Sequence, residues 1–182
     1  MSVVHLAAPL DRSALDALKA GDAVLISGEI YTARDAAHER LVKLAAEKKP
    51  WPFNTSGALV YYAGPSPAPP GLPIGSVGPT SSYRMASFLD AVLSAGILAT
   101  MGKGDFPEAA RAVFLKHRAV YLSTIGGAGA LLAGKVLSSD VIAFDDLGPE
   151  AIRRLAVRDF PAVVVYDVHG GDVFSEAARY RK

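Results

Sequence analysis

Ser81-Ser82-Tyr83-Arg84-Met85-Ala86-Ser87-Phe88-Leu89-Asp90-Ala91-Val92-Leu93-Ser94-Ala95-Gly96-Ile97-Leu98-Ala99-Thr100-Met101-Gly102-Lys103-Gly104 holds a helix, its stop and a strand in one run. Met85, Phe88, Leu89, Val92 and Leu93 fall at i, i+3, i+4, i+7 and i+8, which predicts a helix from Ser81 to Ala95. Gly96 stands where a helix C-terminus wants glycine. Ile97 to Met101 then reads as a strand, closed by Gly102-Lys103-Gly104. Working outward, the same alternation continues. Upstream lie a strand at Ala23–Ile26 closed by Gly28, a helix at Arg34–Lys48 with Ala37, Leu41, Leu44 and Ala45 on one face, and a strand at Ala58–Tyr62. Downstream come a helix at Pro107–His117, a strand at Ala119–Thr124 and a short helix at Gly127–Val136. A strand at Val141–Phe144, a helix at Pro149–Ala156 and a strand at Ala162–Asp167 complete the series. Strands alternating with helices predict an α/β fold with some parallel sheet. No repeat or linker divides the chain, so residues 1–182 are expected to form one domain.

Composition removes several classes of function. Half the residues are hydrophobic (51%) and 20% are charged, enough apolar material for a sizeable core. A net charge of +1, without a Lys/Arg run, gives no electrostatic reason to bind nucleic acid. No apolar run is long enough for a membrane span, and Asp11, Arg12 and Asp16 break the pattern of a signal peptide. With no cysteine, the chain cannot form disulfides or hold a thiolate-bound metal cluster. A cytoplasmic location is therefore expected. His5, His38, His117 and His169 have no metal-binding spacing, so no metal ligand is expected among them.

From Asn54 to Tyr83 no charged residue occurs, although Gly64–Pro73 is rich in proline. A solvated loop normally carries charge. Tyr61, Tyr62, Leu72, Ile74 and Val77 instead predict chain that is buried or docked near a site or partner.

Three stretches can receive an anion. In Gly78-Pro79-Thr80-Ser81-Ser82-Tyr83-Arg84-Met85, a hydroxyl residue can cap the following helix, whose N-terminus attracts negative charge. Arg84 adds a planar fork suited to a carboxylate. Lys103, between two glycines at a strand end, is the second. The third is Tyr31-Thr32-Ala33-Arg34-Asp35-Ala36-Ala37-His38. Here Thr32 with Asp35 suggests a capping pattern, and Arg34 shares a helix face with His38. Each stretch taken alone also fits a plain cap, a turn or a surface ion pair. Together, two arginines and a lysine suit a substrate with two carboxylates.

These segments resemble the C-terminal part, or β subunit, of class I fumarases and L-tartrate dehydratases. The resemblance rests on Gly28 to His38, Gly78 to Met85, Gly102-Lys103-Gly104, Gly126-Gly127, and Asp159-Phe160-Pro161 leading to Asp167 and Gly170. It implies a swivelling β/β/α domain with a mixed sheet and flanking helices. It implies a hydro-lyase active only with a partner α subunit, which holds a [4Fe–4S] cluster. Carried over by position, Arg34, Arg84 and Lys103 hold substrate carboxylates, while Thr80 and Ser81 are the catalytic hydroxyls, Ser81 as base. Ser81 departs from the usual threonine. Ala86 departs from an acidic residue that would orient Arg84. The reaction implied is fumarate plus water to (S)-malate, with tartrate dehydration as the alternative. A non-catalytic dicarboxylate-binding or assembly module is a further reading. A homodimer or heterotetramer is the expected kind of assembly.

Overall fold

The computed structural model describes residues 3–178. Seven strands form one sheet: β1 (Val4–Ala8), β2 (Ala23–Thr32), β3 (Leu59–Tyr61), β4 (Ala99–Gly102), β5 (Val120–Ser123), β6 (Val136–Ala143) and β7 (Ile152–Tyr166). Their order is β1-β2-β3-β4-β5-β7-β6, with β2 also paired to β7. That last pairing closes the sheet on itself. The pairs β1–β2, β2–β3, β3–β4 and β4–β5 are parallel, and β7 runs antiparallel to β2, β5 and β6. The architecture is mixed α/β, as the alternation predicts.

Alternation along the strands sorts side chains into two cores. Leu59 and Tyr61 of β3, Val120 and Leu122 of β5, and Leu155, Phe160 and Val164 of β7 fill the face that the closed sheet encloses. Val60, Tyr121, Ile152 and Val165 face outward. They meet α2 (Asp35–Ala46), α3 (Leu89–Ser94) and α4 (Glu108–His117) through Leu41, Leu89, Val92 and Phe114. Phe160 and Tyr61 are fully buried and meet edge to face, with centroids 5.4 Å apart. Full burial stabilises each by roughly 1.5–3 kcal/mol.

Several expected boundaries change. Gly28 does not end β2. The strand runs on to Thr32 through a bulge in which Arg158 and Asp159 of β7 stand opposite Ser27. Asp159 takes a φ of 50° there, and its N–H donates to Ser27 Oγ at 3.0 Å. Gly28 has a φ of 114°, and a Cβ on it would lie 2.1 Å from the Ala8 carbonyl oxygen, so glycine lets β1 approach. The helix expected at Pro149–Ala156 is strand from Ile152 onward. Ile152 and Leu155 imitate helical spacing, yet they point into opposite cores, the outer and the inner. Leu155 and Val157 do alternate inward, but the bulge at Arg158 and Asp159 shifts that alternation before Phe160, so no single period runs through the strand. The helix expected from Ser81 to Ala95 begins as a 3₁₀ helix, Ser82–Phe88, before α3. Among the described residues, β1, α1 (Arg12–Asp16), α6 (Val173–Ala178) and most of a 3₁₀ helix at Asp145–Glu150 had no sequence reading. The short helix α5 spans only Gly129–Ala133, and Val136 already belongs to β6.

The uncharged stretch divides. Tyr61, Tyr62, Ile74 and Val77 are buried, and Ile74 and Val77 enter the inner core. Tyr61 donates its hydroxyl proton to the Val77 carbonyl at 2.7 Å. Residues 66–73 are exposed, Leu72 among them. Among the described residues no helix is long and apolar enough to cross a membrane.

Candidate functional site

The carboxyl ends of the four consecutive parallel strands β2 to β5 lead into Arg34, Gly64, Lys103 and Gly126. Ligands of α/β sheets bind at such ends. All five residues expected at the site lie here, in two sets.

The first set gathers around Arg34, the N-cap residue of α2. Its side chain makes no capping bond. Instead Glu150, from the turn between β6 and β7, accepts the Ala36 N–H through Oε2 at 3.0 Å. Thr32 is not the cap. Its hydroxyl accepts from Arg153 N at 3.0 Å and so ties the end of β2 to β7. The helix dipole opposes a cation at Arg34. Two carboxylates offset this: Glu150 Oε1 lies 3.3 Å and Asp35 Oδ2 3.8 Å from Arg34 Nη2. Asp35 Oδ2 also lies 3.2 Å from Arg84 Nη2. Ala86 offers Arg84 no charge, and the acid beside Arg84 comes from Asp35 instead. Gly64 supplies room, since a Cβ there would stand 2.9 Å from Arg34 Nη1.

His38 lies beneath this set. It is fully buried, and its ring sits 5.4 Å from that of Tyr62 and 5.6 Å from that of Phe88. Nδ1 lies 2.8 Å from the Arg34 carbonyl oxygen. A carbonyl only accepts, so the proton is on Nδ1. Burial is the main cause that lowers the His38 pKa to about 4, leaving the ring neutral near pH 7. Arg34 Nε, Asp35 Oδ2 and His38 Nε2 are buried without a hydrogen-bond partner among the described residues.

The second set is built from backbone. Thr80 N donates to Tyr62 O at 2.6 Å, Lys103 N to Thr80 O at 3.1 Å, and Ser82 N to Lys103 O at 3.0 Å. These bonds lay Thr80 to Ser82 parallel to the end of β4, with Ser81 paired to Lys103. The Ser82 N–H is therefore engaged, and Ser81 makes no side-chain cap, so the expected hydroxyl cap is absent from this turn. Gly102 permits the approach: a Cβ on it would fall 2.1 Å from Ser82 Oγ and 3.1 Å from Thr80 O. Below, Tyr121 donates its phenol proton to Gly104 O at 2.6 Å. With that proton committed, Ser82 Oγ must be the donor in its 2.8 Å bond to Tyr121. Burial raises the Tyr121 pKa, so the phenol stays protonated. The exposed Lys103 side chain passes over Gly126, where a Cβ would stand 3.4 Å from Lys103 Cδ.

Arg84 lies one turn beyond Ser81 on the 3₁₀ helix and so joins the two sets. Arg34, Thr80 and Ser81 are half-buried, while Arg84 and Lys103 are exposed. Sequence reasoning missed Glu150. It sits in a segment that reads as helix, and its contacts to Arg34 and Ala36 span over a hundred residues.

The family model for the fumarase C-terminus matches residues 1–177. Fumarate hydratase 2 of Leishmania major is 36% identical over 177 residues, covering 95% of this chain and 31% of the relative. The anaerobic class I fumarate hydratase of Escherichia coli K12 is 37% identical over 153 residues, covering 83% of this chain and 28% of the relative. The putative L(+)-tartrate dehydratase subunit beta of Methanocaldococcus jannaschii is 36% identical over 165 residues, 87% of this chain and 85% of the relative. The chain thus spans about a third of the length of the fumarate hydratases it matches and most of the tartrate dehydratase subunit. This chain belongs to the fumarase C-terminus family.

Proposed function

We propose that the chain is the β part of a hydro-lyase that adds water to fumarate to give (S)-malate, and that an α subunit completes its site. The observation that carries this reading is the convergence of three cations and two hydroxyls beyond β2 and β4. Arg34, Arg84 and Lys103 hold the substrate carboxylates. Thr80 orients the substrate by hydrogen bonding. Ser81 exchanges the proton at the carbon beside a carboxylate, and Lys103, its backbone neighbour, supplies the cation on that side of the site.

The residues of this chain do not fit a [4Fe–4S] cluster. The sequence has no cysteine, and no group of three or more His, Asp or Glu among the described residues can hold a metal. We assign the cluster to the partner. The exposed Ile125 and Leu131 flank the Gly126-Gly127 loop beside Lys103, and a partner would cover them. The closed sheet with helices outside supports a swivelling β/β/α domain formed by residues 1–182. The assembly is a heterotetramer or a homodimer of such units, and a cytoplasmic location fits a chain without cysteines.

One observation supports tartrate as the alternative substrate. The M. jannaschii relative, matched over 85% of its length, is called a putative L(+)-tartrate dehydratase subunit beta. Anaerobic purification from the native host tests both readings. Co-purifying chains are identified, and activity is assayed with fumarate, malate and both tartrate enantiomers. A cysteine-bearing partner with a [4Fe–4S] spectrum and fumarate turnover is expected. Preference for a tartrate enantiomer would move the assignment to tartrate dehydratase. A colourless, inactive lone chain would make this a dicarboxylate-binding or assembly module.

A further inference from the structure

We propose that Asp35 and Glu150 are positioning residues that set the separation and direction of Arg34 and Arg84. The inference rests on the reading that those arginines hold substrate carboxylates.

The four groups alternate in sign. Arg84 meets Asp35, Asp35 meets Arg34, and Arg34 meets Glu150, at 3.2, 3.8 and 3.3 Å. A single oxygen, Asp35 Oδ2, is shared by two guanidinium groups carried on different elements. Without it, two like charges would face each other across a partly desolvated space. Glu150 is itself fixed. Oε2 is held by the Ala36 N–H, which leaves Oε1 for Arg34. On its other side Arg34 lies against Gly64, where no side chain can intrude. The Asp35 and Glu150 side chains are only 34% and 26% exposed, so water screens these pairs incompletely.

The brace also leaves the arginines free to bind. The acids approach their arginines at Nη2, and neither Arg34 nor Arg84 spends a side-chain hydrogen bond on them among the described residues. A guanidinium carries five N–H donors, and Arg34 Nε, although buried, has no partner among the described residues. The exposed pair of Arg40 and Asp146 differs, since there both terminal nitrogens bond to both carboxylate oxygens. Asp35 and Glu150 thus hold the arginines by charge and leave donors for a carboxylate of the ligand.

The test measures kcat, KM and melting temperature of the assembled enzyme with its preferred dicarboxylate. Asp35→Asn keeps the shape and removes the charge. It is expected to raise KM about tenfold, with kcat changed far less, since a charge-assisted contact is lost outside the reacting atoms. Asp35→Glu, which restores the charge, is expected to recover part of that loss. Glu150→Gln retains an acceptor for Ala36 N–H and is expected to raise KM by about threefold at unchanged melting temperature. Arg34→Ala and Arg84→Ala are the controls. If both arginine variants raise KM while Asp35→Asn and Glu150→Gln do not, the brace is overturned and the reading of the site stands. If neither arginine variant changes KM, the site reading falls and the brace with it. Should Asp35→Asn fail to assemble, Glu150→Gln decides: a lowered melting temperature at constant KM makes these acids structural and refutes the proposal.

Discussion

The two halves of the site are built by different forces. Around Lys103, position comes from main chain. Three backbone bonds lay Thr80 to Ser82 along the end of β4, and a buried hydroxyl relay from Ser82 through Tyr121 reaches Gly104. Around Arg34, position comes from charge. Side chains alternate in sign over one helix terminus, partly open to water. Backbone bonds do not titrate and are little screened by salt, whereas ion pairs are sensitive to both. The hydroxyl half is therefore a rigid platform, and the arginine half is the part that ionic strength, acid and a partner chain can tune.

The sharpest break is Gly102→Ala. The added Cβ would stand 2.1 Å from Ser82 Oγ, 2.9 Å from Tyr62 Cδ2 and 3.1 Å from Thr80 O. Ser82 Oγ could swing aside only by breaking its bond to Tyr121, and the Thr80 carbonyl is backbone. Overpacking of this kind is expected to cost about 3 kcal/mol in urea unfolding. If the variant unfolds at the wild-type midpoint, the platform is looser than its hydrogen bonds imply.

On the charged side, Arg84→Lys keeps the positive charge and removes the fork. Dicarboxylate affinity of the assembled enzyme is expected to fall by roughly 1–3 kcal/mol, while stability moves little because the side chain is exposed. Titration calorimetry checks the first expectation and thermal melting the second. Unchanged affinity would remove Arg84 from the binding set.

What the sequence disclosed follows the same division. Helix α2 and strands β3, β4 and β5 were legible because each shows its own apolar pattern locally. Arg34, Arg84 and Lys103 were legible because a charge beside glycine or at a helix start is conspicuous. Closure of the sheet was not, since the β2–β7 pairing joins residues about 130 apart along the chain. Of β7 only the end read as Ala162–Asp167 was legible, because the bulge opposite Ser27 shifts the alternation of its first half and Ile152 and Leu155 imitate helical spacing. Glu150 was hidden because its meaning lies in a bond to Ala36, and nothing near it in sequence points there. The relay through Tyr121 is also non-local, because Ser82, Gly104 and Tyr121 come from three separate segments.

His38 gives the arginine half a pH dependence. Its pKa falls from 6.5 to about 4 on folding, mainly through burial. Between those values the unfolded chain binds the proton and the folded chain does not. Stability is thus intact above pH 6.5, is lost as the pH falls, and has lost its full share below about pH 4. The expected slope is about 1.4 kcal/mol for each pH unit in that window. Urea unfolding from pH 7 to pH 5 measures it, and His38→Phe should flatten the curve. Because His38 donates to the Arg34 carbonyl, protection from amide exchange should fail first at the start of α2 rather than along β4.

The smallest effect asks whether the halves are independent. Tyr121→Phe keeps the ring and removes one hydroxyl, so the core contacts with Phe106 and Phe114 survive. Gly104 O then loses its donor and Ser82 Oγ loses its acceptor. Gly104 is exposed, so water replaces the donor there, and the unpaired Ser82 hydroxyl sets a cost of about 1 kcal/mol. The 3₁₀ helix that starts at Ser82 also carries Arg84. Freeing Ser82 should loosen that turn and reduce what the Arg84 fork can contribute. A double-mutant cycle between Tyr121→Phe and Arg84→Lys on dicarboxylate affinity is expected to show a coupling of about 0.5 kcal/mol, because Ser82, which bonds Tyr121, lies two residues from Arg84 on one turn. Strict additivity would mean that the platform and the charged half meet at the substrate alone.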